Sequence, residues 1–91
     1  MKILHLNLKK KWFDMILSGE KKEEYRELKT YWTKRLGGES FDIVRFRNGY
    51  GKNAPTFDIE CKSITYGSGL EKWGYKPLFF CYVIKLGKIK N

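Results

Sequence analysis

Three clusters in this 91-residue chain carry side chains suited to chemistry. The densest is Gly19-Glu20-Lys21-Lys22-Glu23-Glu24-Tyr25-Arg26, which sets an ammonium, a carboxylate and a guanidinium close together. On a regular strand Glu24 and Arg26 point the same way, with Lys22, while Lys21 points opposite. Lys21 joins them only if it lies in the turn before the strand. If the three converge, Glu24 holds Arg26 in place and keeps Lys21 protonated, giving two donors for a phosphate or a base edge. Burial instead lowers the Lys21 pKa and makes it a general base, with Glu24 as acid/base. The third outcome is an ion-pair cluster that only ties strand to helix.

The second cluster is Lys9-Lys10-Lys11, at the start of a predicted helix. Cations there oppose the helix dipole, and an anion bound at the free N–H groups would turn that cost into a site. Otherwise the lysine stems cover apolar surface and their heads stay hydrated. The third cluster is Arg45-Phe46-Arg47-Asn48-Gly49-Tyr50-Gly51-Lys52-Asn53. Arg45 and Arg47 share a strand face, Tyr50 can stack on a base from a Gly-flanked loop, and Asn48 and Asn53 can read base edges. The bland reading is an ordinary loop with Tyr50 folded back on the core. Ser18, Ser40, Ser63 and Ser68 lack a G-x-S-x-G context, so no hydrolase triad is supported. His5 reads as a core or rim residue.

Charge points the same way as these clusters. The chain has 19 Lys+Arg against 10 Asp+Glu, a formal net charge of +9. The excess is +6 over residues 1–52 (13 against 7) and +3 over 53–91 (6 against 3), so it is spread through the fold. Such a field draws nucleic acid or anionic lipid at low salt, and otherwise serves solubility alone. With one His and two Cys, a zinc site would need carboxylates, and neither metal nor cofactor is expected. Cys61 and Cys81 read as small core residues and not as a disulfide. No apolar run is long enough to span a membrane, and MKILHLNL breaks at His5 and Asn7 before three lysines, unlike a signal peptide. A cytoplasmic location follows as an expectation.

The elements that must position these clusters read β-α-β-α-β-β-β, in a single domain over residues 1–91. Leu4, Leu6 and Leu8 alternate with Ile3, His5 and Asn7 in a first strand. Trp12 with Ile16, and Phe13 with Leu17, share one side of a helix over 9–18 that Gly19 caps. A second strand covers 21–28. Thr30 is expected to cap a second helix with Tyr31, Trp32 and Leu36 on its buried side, ended by Gly37-Gly38. Strands follow at 41–48, at 55–66 with a bulge near Ser63, and at 79–86, the last central and apolar on both faces. Trp12, Phe13, Trp32, Phe79 and Phe80 are expected in the core, with Trp73 and Tyr75 undecided. Gly67, Gly69, Gly74 and Pro77 mark an irregular connection. The class is α+β, with a sheet that curls into a small barrel to protect its edges.

Gly19, Lys21, Glu24 and Arg26 fit the G-x-K-x-x-E-x-R signature of the ASCH domain, a branch of the PUA-like superfamily, after an LHLNL-type strand and a WFDMILSG-type helix. The chain resembles that family from Met1 to about Gly87. The resemblance implies a small PUA-like β-barrel with flanking helices, a cleft lined by the motif, and binding of RNA, other nucleic acid or nucleotides. Some family members resemble amidohydrolases acting on N4-acetylcytidine, and some have been described as nucleases. In the amidohydrolase branch the motif lysine works with a Thr where this chain has Glu24, and with a Glu elsewhere, for which Glu60 and Glu71 are the candidates. A carboxylate is a poor acyl acceptor, so Glu24 disfavours amide hydrolysis. Ribonuclease chemistry suits a Lys/Glu pair better, since the RNA 2′-OH can attack. The leading expectation is a nucleic-acid-binding domain contacting its ligand through Lys9, Lys10, Lys11, Lys21, Arg26, Arg45, Arg47, Asn48, Tyr50 and Lys52. The alternative is a hydrolase using Lys21 and Glu24, and an inhibitor or adaptor role against an acidic partner is a third.

Overall fold

The computed structural model describes residues 1–75 and 80–90. Five strands and two short helices follow the expected order: β1 (Ile3–Leu8), α1 (Lys10–Leu17), β2 (Glu23–Glu27), α2 (Thr30–Leu36), β3 (Ile43–Asn48), β4 (Thr56–Gly67) and β5 (Cys81–Lys90), with a 3-10 turn at Glu71–Trp73. The strands form one mixed sheet in the order β1-β3-β4-β5-β2, curled into a half-barrel. β1 runs parallel to β3, and the other pairs are antiparallel.

The curl comes from β4. Its pairing with β5 shifts register between Ile59 and Cys61 and again between Cys61 and Ser63. Such bulges bend a strand and increase its twist. Glu60 sits at this bend, where its Oε1 accepts the Lys88 N–H at 3.3 Å, and a Cβ at Gly87 would overlap its carboxylate.

Period-two burial fixes what faces inward. Leu4, Leu6 and Leu8 of β1, Val44 and Phe46 of β3, and Ile84 and Leu86 of β5 are buried, and Phe13, Ile16 and Leu36 of the helices close over them. Burying each large side chain contributes about 1.5–3 kcal/mol. Phe13 meets Phe57 edge-on at 4.9 Å. The Tyr82 hydroxyl donates to Thr33 Oγ1 at 2.9 Å and fastens α2 to β5. β5 is buried from Cys81 to Ile84, as a strand flanked on both sides should be. Both cysteines are free thiols, Cys81 buried and Cys61 partly so. No helix among the described residues is long and apolar enough to cross a membrane.

Several details differ from the sequence reading. Leu17 is exposed, because the stripe of α1 that faces the sheet centres on Phe13 and Ile16 and the helix ends one residue later. Tyr31 is exposed too: α2 buries Leu36 and half-buries Trp32, and Tyr31 stands edge-on to Trp32 at 4.8 Å. Thr30 is the first helical residue and Lys29 occupies the N-cap position, with no side-chain cap bond. Phe80 precedes β5 and is exposed, whereas Trp73 is buried. His5 is an exposed residue of the outer face. Phe79 and Pro77 lie outside the described residues.

Candidate functional site

A half-barrel leaves two edges, and here they are β1 and β2. α1 carries the chain from one to the other. It ends at Leu17, and just past the Ser18 C-cap Gly19 turns the chain with a φ of +87°, in the left-handed region that glycine adopts without strain. The Lys21 N–H returns to the Met15 carbonyl at 2.9 Å, so Lys21 sits in the turn before β2 and not on the strand. That placement lets its side chain join Glu24 and Arg26.

The three charged groups form a chain. Lys21 Nζ donates to Glu24 Oε1, and Arg26 Nη2 donates to Glu24 Oε2 at 2.7 Å. The same Nη2 donates to the Asn7 carbonyl of β1 at 3.1 Å. Arg26 thus bridges the seam from β2 to β1. Its guanidinium lies over the Trp32 ring, 4.9 Å from the centroid. Among the described residues its Nε is buried without a hydrogen-bond acceptor. Arg35 treats the β1 edge similarly, donating to the His5 carbonyl at 3.0 Å. These guanidiniums occupy edge carbonyls that a closing strand would take.

Lys21 is 2% exposed and Glu24 6%. The Lys21 ammonium sits 4.9 Å from the Trp12 centroid and 5.6 Å from that of Tyr25. Burial lowers its pKa, Glu24 opposes that shift, and nearby Arg26 adds to it. The glycine-rich connection holds both rings in place. A Cβ at Gly69 would collide with the Tyr25 ring, and Gly74 lies against Trp12 with φ +95°. The Leu70 N–H donates to the Tyr25 hydroxyl at 2.9 Å, which itself donates to Glu23 Oε1 at 2.8 Å. Burial drives the Tyr25 pKa well above that of an ordinary phenol.

The seam opens into a cleft of about 670 Å³. Glu24 and Arg26 line it, with Trp12 and Trp32, and Lys9, Lys10, Asn48 and Tyr50 border it. Lys21 is not in its lining; it lies behind Glu24. A second hollow of about 530 Å³ adjoins, sharing Tyr25, Arg26 and Glu27. Lys9 and Lys10 are exposed, and Lys10 pairs with Asp14 of the next turn. Lys11 places its ammonium 4.6 Å from the Trp12 centroid. Tyr50 is 86% exposed.

Other expected contacts are not brought to the cleft. Arg45 shares the outer sheet face with Arg47 and meets Asp58, its register partner on β4, through two hydrogen bonds of 2.7 and 2.8 Å. Arg47 donates to the Gly51 carbonyl, and Lys52 is exposed on the same loop. Lys22 is exposed ahead of β2. Of the two expected second acids, Glu60 is engaged at the β4 bend and Glu71 is exposed at the start of the 3-10 turn. The cleft includes residues that sequence reasoning left in the core or passed over: Trp12, Trp32, Asn7 and Glu27. The offset between Trp12 and the buried Phe13/Ile16 pair was the available signal for the first. Nothing in the string announced that Asn7 would offer its carbonyl across a seam. Among the described residues no group of three or more His, Cys, Asp or Glu could hold a metal ion. No family model matches the chain, and no curated protein or solved structure matches it either.

Proposed function

We propose that the seam cleft binds a nucleotide unit of RNA or another single-stranded nucleic acid, in the manner that the resemblance to ASCH domains implies. The observation that carries this reading is Arg26. Its guanidinium is fixed by Glu24 and Asn7, lies on an indole, and lines an open cleft bordered by Lys9 and Lys10. A held guanidinium suits a phosphate oxygen, which takes directional N–H donors. Tyr50 at the mouth has the exposure needed to stack on a base, a contact that contributes about 1–3 kcal/mol. Asn48 offers both a donor and an acceptor to a base edge. Lys9 and Lys10 add attraction that salt screens.

Fluorescence anisotropy with short single-stranded RNA tests this. Affinity should fall steeply with rising salt, Arg26→Ala should weaken binding at least tenfold, and Tyr50→Ala should weaken it less. Arg45→Ala, on the outer face, should change little. Binding indifferent to salt and to Arg26→Ala would overturn the reading.

Hydrolysis of RNA or of an acylated cytidine is the second reading, and the lowered pKa of Lys21 is the observation in its favour. Two facts weigh against it. Lys21 lies behind Glu24, away from the cleft, and both Glu24 oxygens already accept hydrogen bonds. Product formed from RNA or N4-acetylcytidine, and abolished by Lys21→Ala, would carry this reading instead.

A further inference from the structure

We infer that Lys21 is a positioning residue that acts on the ligand only through charge: it balances the Glu24 carboxylate, so that Arg26 meets an anion as an uncompensated cation. The inference rests on the nucleotide-binding reading of the cleft and deepens it. It assigns to the lysine of the motif a role without contact or proton transfer.

The geometry requires a division of labour. Glu24 lies between two cations, one oxygen to each. Its carboxylate, with the Asn7 carbonyl and the Trp32 ring, fixes the Arg26 guanidinium. The same carboxylate would also cancel the Arg26 charge and repel a phosphate. A lone Arg–Glu pair is neutral, and its carboxylate faces the cleft. Lys21 resolves the conflict from behind. With its +1 the trio carries +2 against −1, a net +1, and the group that displays this charge to the cleft is Arg26. Lys21 itself is covered by the Trp12 and Tyr25 rings and cannot reach a ligand without displacing them. At an effective dielectric near 20, a unit charge one carboxylate away from a bound anion shifts affinity by roughly tenfold or more.

Charge-swapped variants separate this role from simple support of the fold. The probe is inorganic pyrophosphate, titrated while the Arg26 Nε–H resonance and the binding heat are followed. Folding of each variant is checked by the dispersion of its amide spectrum. Lys21→Met, which keeps an unbranched apolar stem and removes the charge, should weaken pyrophosphate binding at least tenfold. Glu24→Gln, which removes the trio's one negative charge and keeps an acceptor for Arg26, should bind pyrophosphate at least as tightly as the unsubstituted protein. The double variant Lys21→Met/Glu24→Gln returns the trio to a net +1 and should restore affinity to within about threefold of the unsubstituted protein.

A structural role alone predicts a different order, with Glu24→Gln and the double variant both weakened like Arg26→Ala. That order, or undiminished binding by Lys21→Met, overturns the inference. If Lys21→Met does not fold, the Glu24→Gln arm and the double variant still decide. Pyrophosphate binding at Arg26 without any RNA binding would sink the nucleic-acid reading and leave the charge-balance role standing. No pyrophosphate response at the Arg26 Nε–H in the unsubstituted protein would overturn the role itself.

Discussion

Two arginine–carboxylate pairs in this protein have the same shortest N–O distance, 2.7 Å, and opposite surroundings. Arg45 and Asp58 face each other across adjacent strands on the outer sheet face, with side chains 40% and 28% exposed. Arg26 and Glu24 sit two residues apart on one edge strand, 18% and 8% exposed, with Lys21 buried behind them. The outer pair is complete: two hydrogen bonds, balanced charge and partial exposure. The seam trio is odd in number and almost wholly desolvated, and one cation is left in excess. Distance alone does not separate a self-contained pair from one left with excess charge. The third charge and the dielectric do.

The largest effect should come from breaking the seam. Lys21→Met leaves Glu24 buried with one partner in place of two. Removing one member of a buried ion pair costs about 3–5 kcal/mol, and the remaining Arg26 contact places this variant near the lower end. The double variant Lys21→Met/Glu24→Gln removes both charges and should recover most of that loss, because neutral replacements of buried pairs are often tolerated. Urea melts of the variants measure both. A Lys21→Met protein as stable as the original would erase the distinction between the two pairs.

Alkaline pH sharpens the comparison through groups of opposite sign. Tyr25 has a raised pKa, so the folded state keeps a proton that the unfolded chain releases above its ordinary value of 10.0. Burial likewise raises Cys61 and Cys81 above 9.0. In each case the unfolded state binds fewer protons, and stability falls as pH rises past those values. Lys21 has a lowered pKa, so the unfolded chain binds more protons up to its ordinary 10.5, and its share of stability rises with pH below that point. The net expectation is a decline above pH 9 that steepens above pH 10. Tyr25→Phe should flatten the steeper part, and melts at half-unit pH steps from 8 to 11 would show it. An unchanged slope in Tyr25→Phe would remove Tyr25 from the account.

Much of the frame was legible in the string. The leucine alternation of β1, the Gly19 stop, the bulge near Ser63 and the succession of elements along the chain all rest on local periodicity or turn chemistry, which sequence carries directly. The convergence of Lys21, Glu24 and Arg26 was legible as a condition: Lys21 had to lie in the turn, ahead of the strand. What sequence did not carry is sidedness. The alternation of Arg45 and Arg47 says that they share a face, but only the assembled sheet says that this face is the outer one. Tyr31 and Phe80 misled for a related reason: an aromatic beside a buried position reads like a core residue until the packing partner is known. Lys21 shows the converse, since nothing in a lysine-rich turn marks one ammonium as buried and its neighbour Lys22 as solvated.

The smallest effect should come from the outer pair, and it tests whether that pair is inert. Arg45 holds the Asp58 carboxyl below its ordinary pKa of 3.8, and Asp58 in turn raises Arg45. A depressed carboxyl contributes stability above its unfolded pKa, and that contribution is lost as pH falls through the folded value. Asp58→Asn should therefore lower stability slightly at neutral pH, and the gap should vanish in acid, where the original carboxyl is also protonated. Exposure and salt screening keep the gap small. The binding measurement is the sharper half. Asp58→Asn frees Arg45 as Glu24→Gln unbalances Arg26, yet neither Arg45 nor Asp58 lines the seam cleft or the hollow beside it, so RNA affinity should stay level. If Asp58→Asn tightens RNA binding as much as Glu24→Gln does, the ligand spans both faces, and net charge outweighs the seam geometry in choosing where it sits.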